Sequence, residues 1–353
     1  ALQASSSTGC DLVNEVPPTR WDVDYSPPGY GAEVLGRARH GGFMQGAELF
    51  DNARFNVSPA EAAAMDPQQR LLLEHGYAAL HASGFERASL MGSGAGVAVG
   101  ITTTEFSQVL AAGPLQRSVY TATSSSLSIA SGRLSFVLGL QGPCAAFETA
   151  CSASLVGCHS ALRALQHGEC EQHLAAGVNA MLVQATTLSI AAAGMSSATG
   201  RSHTFDSRAD GFARGEGCTV MVLVTPSERG PASVPHRGAG LVLRGSCVRQ
   251  DGKSASLTAP NGLAQQSLLE AALAEDRCFH RKTSWSAIQK RYFGDKSHHP
   301  RSVAMIRNRA IRKGLKKGVV PMMKEEGQLE ADEATAERRV DLWEWITWDV
   351  VEV

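Results

Sequence analysis

Residues 143–168 place one cysteine where it could act as a nucleophile. Cys144-Ala145-Ala146-Phe147, behind the turn pair Gly142-Pro143, is a short apolar run that predicts a covered strand. A sharp turn carrying Cys151 follows. Leu155, Cys158, Leu162 and Leu165 then recur at three- and four-residue spacing, which predicts a helix with those residues on its buried face and Gly168 as its stop. This puts Cys151 in the first turn of a helix, near unpaired backbone N–H groups and the positive end of the helix dipole. Both favour the thiolate, which is the nucleophilic form. The small residues Ala150, Ser152, Ala153 and Ser154 leave room for a substrate carbonyl. A lone cysteine is more often a buried, inert one; the strand–cysteine–helix context is what favours chemistry.

The elements that would hold this turn can be read on either side of it. Asp66-Pro67-Gln68-Gln69 starts a helix, with Asp66 as cap, Pro67 at the first helical position and Gln69 completing a capping box. Residues 94–102 alternate small and β-branched side chains, a strand pattern. Residues 118–139 predict a helix that leads into the strand before Cys151. Further strands are expected over 173–182, 219–224 and 240–248, and a helix begins over 265–273. Between them, residues 200–218 are dense in glycine, which demands tight turns or close approach. Their mixed acids and bases form no compact ligand set and no dinucleotide fingerprint, so a structural role is expected there. His203 lies in that loop and is read as a solvated histidine, outside the site. Residues 15–22, with Pro17 and Pro18, read as a proline-stiffened surface segment.

At 353 residues the chain can bury one large or two ordinary cores. A net charge of −1 points to no polyanionic partner, and no apolar run reaches membrane-spanning length. The eight cysteines (Cys10, Cys144, Cys151, Cys158, Cys170, Cys218, Cys247, Cys278) contain no Cys-x-x-Cys pair, which argues against zinc or a disulfide scaffold and suits a reducing, cytoplasmic setting, an organelle being the other possibility. The chain opens on Ala1 with no secretory pattern, which reads as a fragment or a processed start.

The string Glu148-Thr149-Ala150-Cys151-Ser152-Ala153-Ser154-Leu155 resembles the nucleophile motif of β-ketoacyl synthases, in particular the ketosynthase domains of modular type I polyketide synthases. Glu148 stands where that family usually has aspartate, and Ala153 where it usually has serine. The resemblance runs in order through Val16-Pro17-Pro18-Thr19-Arg20-Trp21, His40-Gly41-Gly42-Phe43, Asp66-Pro67-Gln68-Gln69-Arg70 and Arg133-Leu134-Ser135-Phe136-Val137-Leu138-Gly139-Leu140. It continues through Gly200-Arg201-Ser202-His203-Thr204-Phe205-Asp206 to Gln250-Asp251-Gly252 and Asn261-Gly262. It implies a thiolase-like α/β fold, layered α/β/α/β/α, of which residues 1–275 supply one half, the β-ketoacyl synthase N-terminal domain, without its first core strand. Residues 276–353 match nothing in the family and form an unrelated tail, basic over 281–317 and acidic over 325–352. A charged run of this kind behaves as a solvated or disordered arm, and it lacks the interleaved aromatics of a nucleic-acid binder.

The implied reaction has two parts. Cys151 takes an acyl group from the phosphopantetheine thioester of an acyl carrier protein. Histidines then assist decarboxylation of a malonyl thioester, whose enolate attacks the acyl-enzyme. Neither His-Gly-Thr-Gly-Thr nor Asn-Ile-Gly-His, the family's two histidine motifs, occurs in these 353 residues. The resemblance thus leaves acylation conceivable but slow, since the family draws one oxyanion donor from the other half, and condensation impaired, with no cofactor or metal bound directly and Cys151 the single site residue. Half a fold that buries its sheet against another half exposes apolar surface, so a homodimer or a complementing synthase chain is expected. The alternative is a non-catalytic ketosynthase-like subunit that dimerises or binds an acyl carrier protein, and a Cys151 thioester hydrolase ranks behind both.

Overall fold

The computed structural model describes residues 10–102, 105–204, 206–225, 243–256 and 259–281, with two short strands, Met322–Met323 and Leu329–Glu330. The tail's charged stretches otherwise lie outside the described residues, as do residues 240–242 of the strand expected over 240–248. Residues 243–248 form no strand.

The first unit, up to Gly240, contains the sheet. Its elements in order are β1 (Val13–Glu15), α1 (Ala32–Arg37), β2 (His40–Gly42), α2 (Pro59–Ala64), α3 (Pro67–Ala82), α4 (Arg87–Leu90) and β3 (Gly96–Ile101). There follow α5 (Phe106–Ala112), α6 (Thr121–Ser124), α7 (Leu127–Leu138), β4 (Cys144–Phe147), α8 (Ala153–His167), β5 (Gln172–Asn179), α9 (Gln184–Ala192) and β6 (Gly217–Val224). The helix expected over 118–139 is thus two helices, broken at Ser125-Ser126. The sheet order is β4-β3-β5-β6, with β3 parallel to both β4 and β5, and β6 antiparallel to β5.

Alternation along the strands makes the two faces of the sheet unlike. Val97, Val99 and Ile101 of β3, with Leu174, Ala176 and Val178 of β5, join Leu72, Leu80, Leu134 and Leu138 in the main core. The alternate residues are small: Gly96, Ala98 and Gly100 on β3, Ala175 and Gly177 on β5. Onto this flat face sits α8. The result is a helix–sheet–helix sandwich in which β3, buried along its whole length, is the central strand.

One expectation fails here and another holds only in part. The apolar run 144–147 is not a covered strand: β4 ends the sheet, so Cys144 and Ala145 are exposed and Ala146 and Phe147 half-buried. The buried stripe of α8 keeps Cys158 and Leu165 of the expected four but is otherwise Ala153, Gly157, Ala161 and Ala164, with Leu162 half-buried and Leu155 exposed. Against a face of glycine and alanine, small helix residues pack closest, and Leu155 and Leu162 fall beside that stripe.

The start of α3 contains a titrating group. Asp66 caps as expected, its Oδ1 accepting Gln68 N at 2.8 Å with Pro67 at the first position. Gln69 forms no capping box; its Nε2 donates to Ser124 O (3.0 Å) and Thr123 O (3.2 Å), and its Oε1 accepts from Arg133 Nε (2.8 Å). The buried amide is satisfied at both ends, and Ser124 O also accepts from Asp66 N at 3.0 Å. Burial pushes the Asp66 carboxyl up to about 6, and Glu105 adds to the rise, against the hydrogen bonds from Gln68 and the charge of Arg70. Because the folded carboxyl holds its proton more tightly than the unfolded one, stability from this group is full below about pH 4 and is lost as pH rises through about 6. Denaturant unfolding across pH 4–7.5 should show a decline on the order of 1–3 kcal/mol over that window. Asp66→Asn, which keeps a capping oxygen, should flatten it; an unchanged slope would assign the titration elsewhere.

The second unit, from Leu241, is built on α10 (Gly262–Arg281). Asn261 starts it, its Oδ1 accepting from Leu263 N and Ala264 N, while Asp251 fixes Asn261 through N (2.8 Å) and Nδ2 (2.9 Å). Ser246 N donates to Glu275 Oε2 at 2.8 Å.

Candidate active site

The turn between β4 and α8 is tight and strained. Ser152 N donates to Thr149 O (3.3 Å) and Ala153 N to Ala150 O (3.1 Å), so two overlapping turns fill residues 149–153. Ser152 Oγ reinforces them with bonds to Thr149 O (2.9 Å) and Thr149 Oγ1 (3.0 Å). Ala150 is left-handed, with φ +53°, a conformation rare for a residue with a Cβ. Cys151 is exposed immediately after it. The first helical residue is Ala153, with Ser152 at the cap position, so Cys151 stands just ahead of the helix rather than in its first turn. The helix stops where expected, at a left-handed Gly168.

Cys151 follows the carboxyl end of β4, and the parallel β3 and β5 end on the same side. The chain runs from β3 outward to β4 and then back across β3 to β5, so this edge is the point where the sheet reverses direction, the usual site of ligand binding in α/β sheets. The first-turn amides of α8 have no intrahelical acceptors and belong to its positive end. Cys10 and Cys144 are also exposed thiols. Cys144 lines a cavity of about 150 Å³ beside α8 with Arg163, His167, Glu169 and His173, and Cys151 does not line it.

A second cluster fixes the loop after β5, and sequence reasoning gave it only a general structural role. Glu216, its side chain fully buried, takes a bidentate pair from Arg20 (Nε 2.9 Å, Nη2 3.0 Å), and also Met44 N (2.9 Å) and Met181 N (3.0 Å). The carboxylate raises the Arg20 guanidinium above its ordinary value. Glu105 Oε2 accepts Leu182 N (2.7 Å) and Val183 N (2.8 Å), and its Oε1 meets Arg214 Nη2 at 3.3 Å. Three consecutive backbone amides are thus held by two buried carboxylates. Residues 15–22 are accordingly not a mere surface segment: Val16 is buried, and Arg20 reaches inward because its proline-stiffened loop lies over Glu216.

Side chains of the glycine-rich stretch bond to its own backbone and neighbours. Asp210 accepts from Ser197 Oγ (2.7 Å) and Ala198 N (2.9 Å), which holds its carboxyl below the usual range, and Asp206 pairs with Arg208, which lowers it to about 2. His203 Nε2 lies 3.3 Å from Thr199 Oγ1. Among the described residues no group of three or more His, Cys, Asp or Glu could hold a metal, and no helix is long and apolar enough to cross a membrane.

Residues 4–229 match the β-ketoacyl synthase N-terminal domain. Phenolphthiocerol synthesis polyketide synthase type I Pks15/1 of Mycobacterium bovis is 44% identical over 270 residues, 76% of this chain and 12% of that protein. The synthase of the same description from Mycobacterium marinum is 42% identical over 270 residues, again 76% of this chain and 12% of that one. A ketosynthase from the bacillaene synthase of Bacillus subtilis superposes with TM-score 0.65 at 32% identity, covering 76% of this chain and 43% of that one. The Streptomyces albus oxazolomycin ketosynthase domain gives TM-score 0.67 at 30% identity, over 78% and 48%. The chain therefore spans less than a fifth of those two synthases and under half of the solved ketosynthases. Family, relatives and fold agree: the chain belongs to the β-ketoacyl synthases, as a ketosynthase of the type I polyketide synthase kind with a thiolase-like fold.

Proposed function

We propose that the chain performs the acyl-transfer half of ketosynthase chemistry, with Cys151 as the catalytic residue. The observation that carries the reading is the exposed thiol set by a left-handed Ala150 at the switch point of the sheet, ahead of the positive end of α8. The Cys151 sulfur attacks the carbonyl carbon of an acyl thioester on the phosphopantetheine arm of an acyl carrier protein. The bond to the carrier sulfur breaks, and the carrier leaves as the thiol with the proton that Cys151 gave up. First-turn amides and the helix dipole stabilise the negative charge on the tetrahedral oxygen. No bound cofactor takes part.

Condensation needs donors around the malonyl group, and these 353 residues contain neither histidine motif. We assign residues 1–275 to the ketosynthase part and 276–353 to an unrelated tail, and place the protein in the cytoplasm on its scattered cysteines. The exposed apolar side chains Val119, Phe136 and Leu155 and the open edge of β4 support a homodimer or a complementing synthase chain. Supplying acyl carrier thioester followed by malonyl carrier should trap the acyl-enzyme with no β-ketoacyl product. A condensed product would remove the impairment. Binding of carrier without acylation would favour the non-catalytic reading.

A further inference from the structure

Gly100 and Gly177 sit side by side in the sheet register, paired across β3 and β5. Both face α8, and both leave space that its first turn occupies. A Cβ at Gly177 would lie 2.7 Å from Ser154 Cβ and 3.5 Å from Ser154 Oγ. One at Gly100 would strike the backbone, running into Ser154 N and reaching 2.5 Å from Ala153 C and Ser154 Cα. Real Cβ atoms do not approach this closely, so a side chain at either position displaces the helix end. One turn further on the seat relaxes. Gly157 of α8 would carry a Cβ at ordinary contact, 3.5 Å from Phe147 Cδ2 and 3.7 Å from Ala98 Cβ. The two strand glycines therefore bear on the helix start and not on its body.

We propose that Gly100 and Gly177 are positioning residues for the nucleophile: by letting Ala153 and Ser154 lie on the bare sheet backbone, they fix the height and direction of the helix end that Cys151 precedes. The inference rests on Cys151 being the nucleophile. Neither glycine touches substrate. β3 is buried along its whole length and paired on both sides, so strain from an added methyl is passed to the residues between Cys151 and Ser154. A displacement of about 1 Å there is enough to cost on the order of 100-fold in a reaction that depends on near-attack geometry.

The two collisions differ in kind, and that makes the test. Gly177→Ala meets a side chain, which Ser154→Gly removes; Gly100→Ala meets main chain, which no side-chain change removes. Full-length variants are compared for the first-order rate of acyl transfer to Cys151 from a saturating acyl thioester, read by intact mass, and for half-saturating thioester concentration. Gly177→Ala is expected to slow the first-order rate at least tenfold with little change in half-saturation. Adding Ser154→Gly should return it to within about threefold of Ser154→Gly alone. Gly100→Ala should be slowed and not rescued, and Gly157→Ala should keep the wild-type rate. Wild-type speed in Gly177→Ala, or a double variant no faster than Gly177→Ala, overturns the proposal. Should Gly177→Ala not be recovered folded, return of folded, acylating protein on adding Ser154→Gly supports the seat, and failure to return it counts against it. A wild-type chain that takes no acyl group refutes the nucleophile reading itself, a separable result.

Discussion

Glu216→Ala should cost about 3–5 kcal/mol of stability, the range for removing one partner of a buried ion pair. The carboxylate is fully buried and meets four donors from three separate segments: Nε and Nη2 of Arg20, Met44 N and Met181 N. Its loss leaves a cation only 10% exposed without its hydrogen-bonded carboxylate, and two amides without acceptors. A penalty of this size is a large part of what holds a domain folded. Urea unfolding should show a large drop in midpoint, or the protein should fail to accumulate. Glu216→Gln keeps an acceptor and the shape but not the charge, and is expected to lose less. Adding Arg20→Met to Glu216→Ala should recover part of the loss by removing the stranded charge. Equal stability of wild type and Glu216→Ala would mean that the cluster is not the clamp its geometry describes.

Ala150→Val should severely reduce reactivity while leaving the thiol in place. Ala150 sits at φ +53°, and a β-branched side chain tolerates that region far worse than alanine does. The left-handed form already costs about 1–2 kcal/mol for an ordinary residue. A residue that resists it more strongly would be expected to reopen the turn, moving Cys151 away from the end of α8. Acyl transfer should fall by a factor of ten or more, each tenfold corresponding to about 1.4 kcal/mol of barrier. Ala150→Gly should retain acylation. Its relief of strain is offset by about 0.5–1 kcal/mol of backbone entropy, so its stability should stay near wild type. If valine is tolerated with full activity, the left-handed turn is not what presents the thiol.

The fold was legible where pattern and chemistry coincide. The alternation of 94–102 gave β3, the Asp66-Pro67 pair gave the start of α3, and Gly168 gave the end of α8. The nucleophile motif and the ordered strings around it pointed to the family that the comparisons show. What escaped notice depends on neighbours. An apolar run of four residues reads the same in a central strand as at an edge, so the exposure of Cys144 and Ala145 could not be seen before the sheet order was known. The buried stripe of α8 is mostly alanine and glycine, residues with weak hydrophobic signal, and of the louder leucines Leu165 lies on it while Leu155 and Leu162 lie beside it. A left-handed alanine leaves no trace in sequence, because glycine is the residue that announces such turns. Glu216 and Arg20 are 196 positions apart, and no local rule pairs them. The signal that could have found them is the acid itself: a carboxylate between Gly215 and Gly217, at the start of an apolar strand, needs a buried counter-ion.

The central claim is that Cys151 is a live acyl acceptor, and intact-mass measurement tests it most directly. The protein and its Cys151→Ala variant would each be incubated with an acyl carrier thioester, with melting curves confirming that both are folded. Peptide mapping separates Cys151 from the exposed Cys10 and Cys144. The account predicts one acyl group per chain, located on Cys151 and missing from the variant. An unmodified wild-type chain, or an acyl group carried equally by Cys151→Ala, would contradict it.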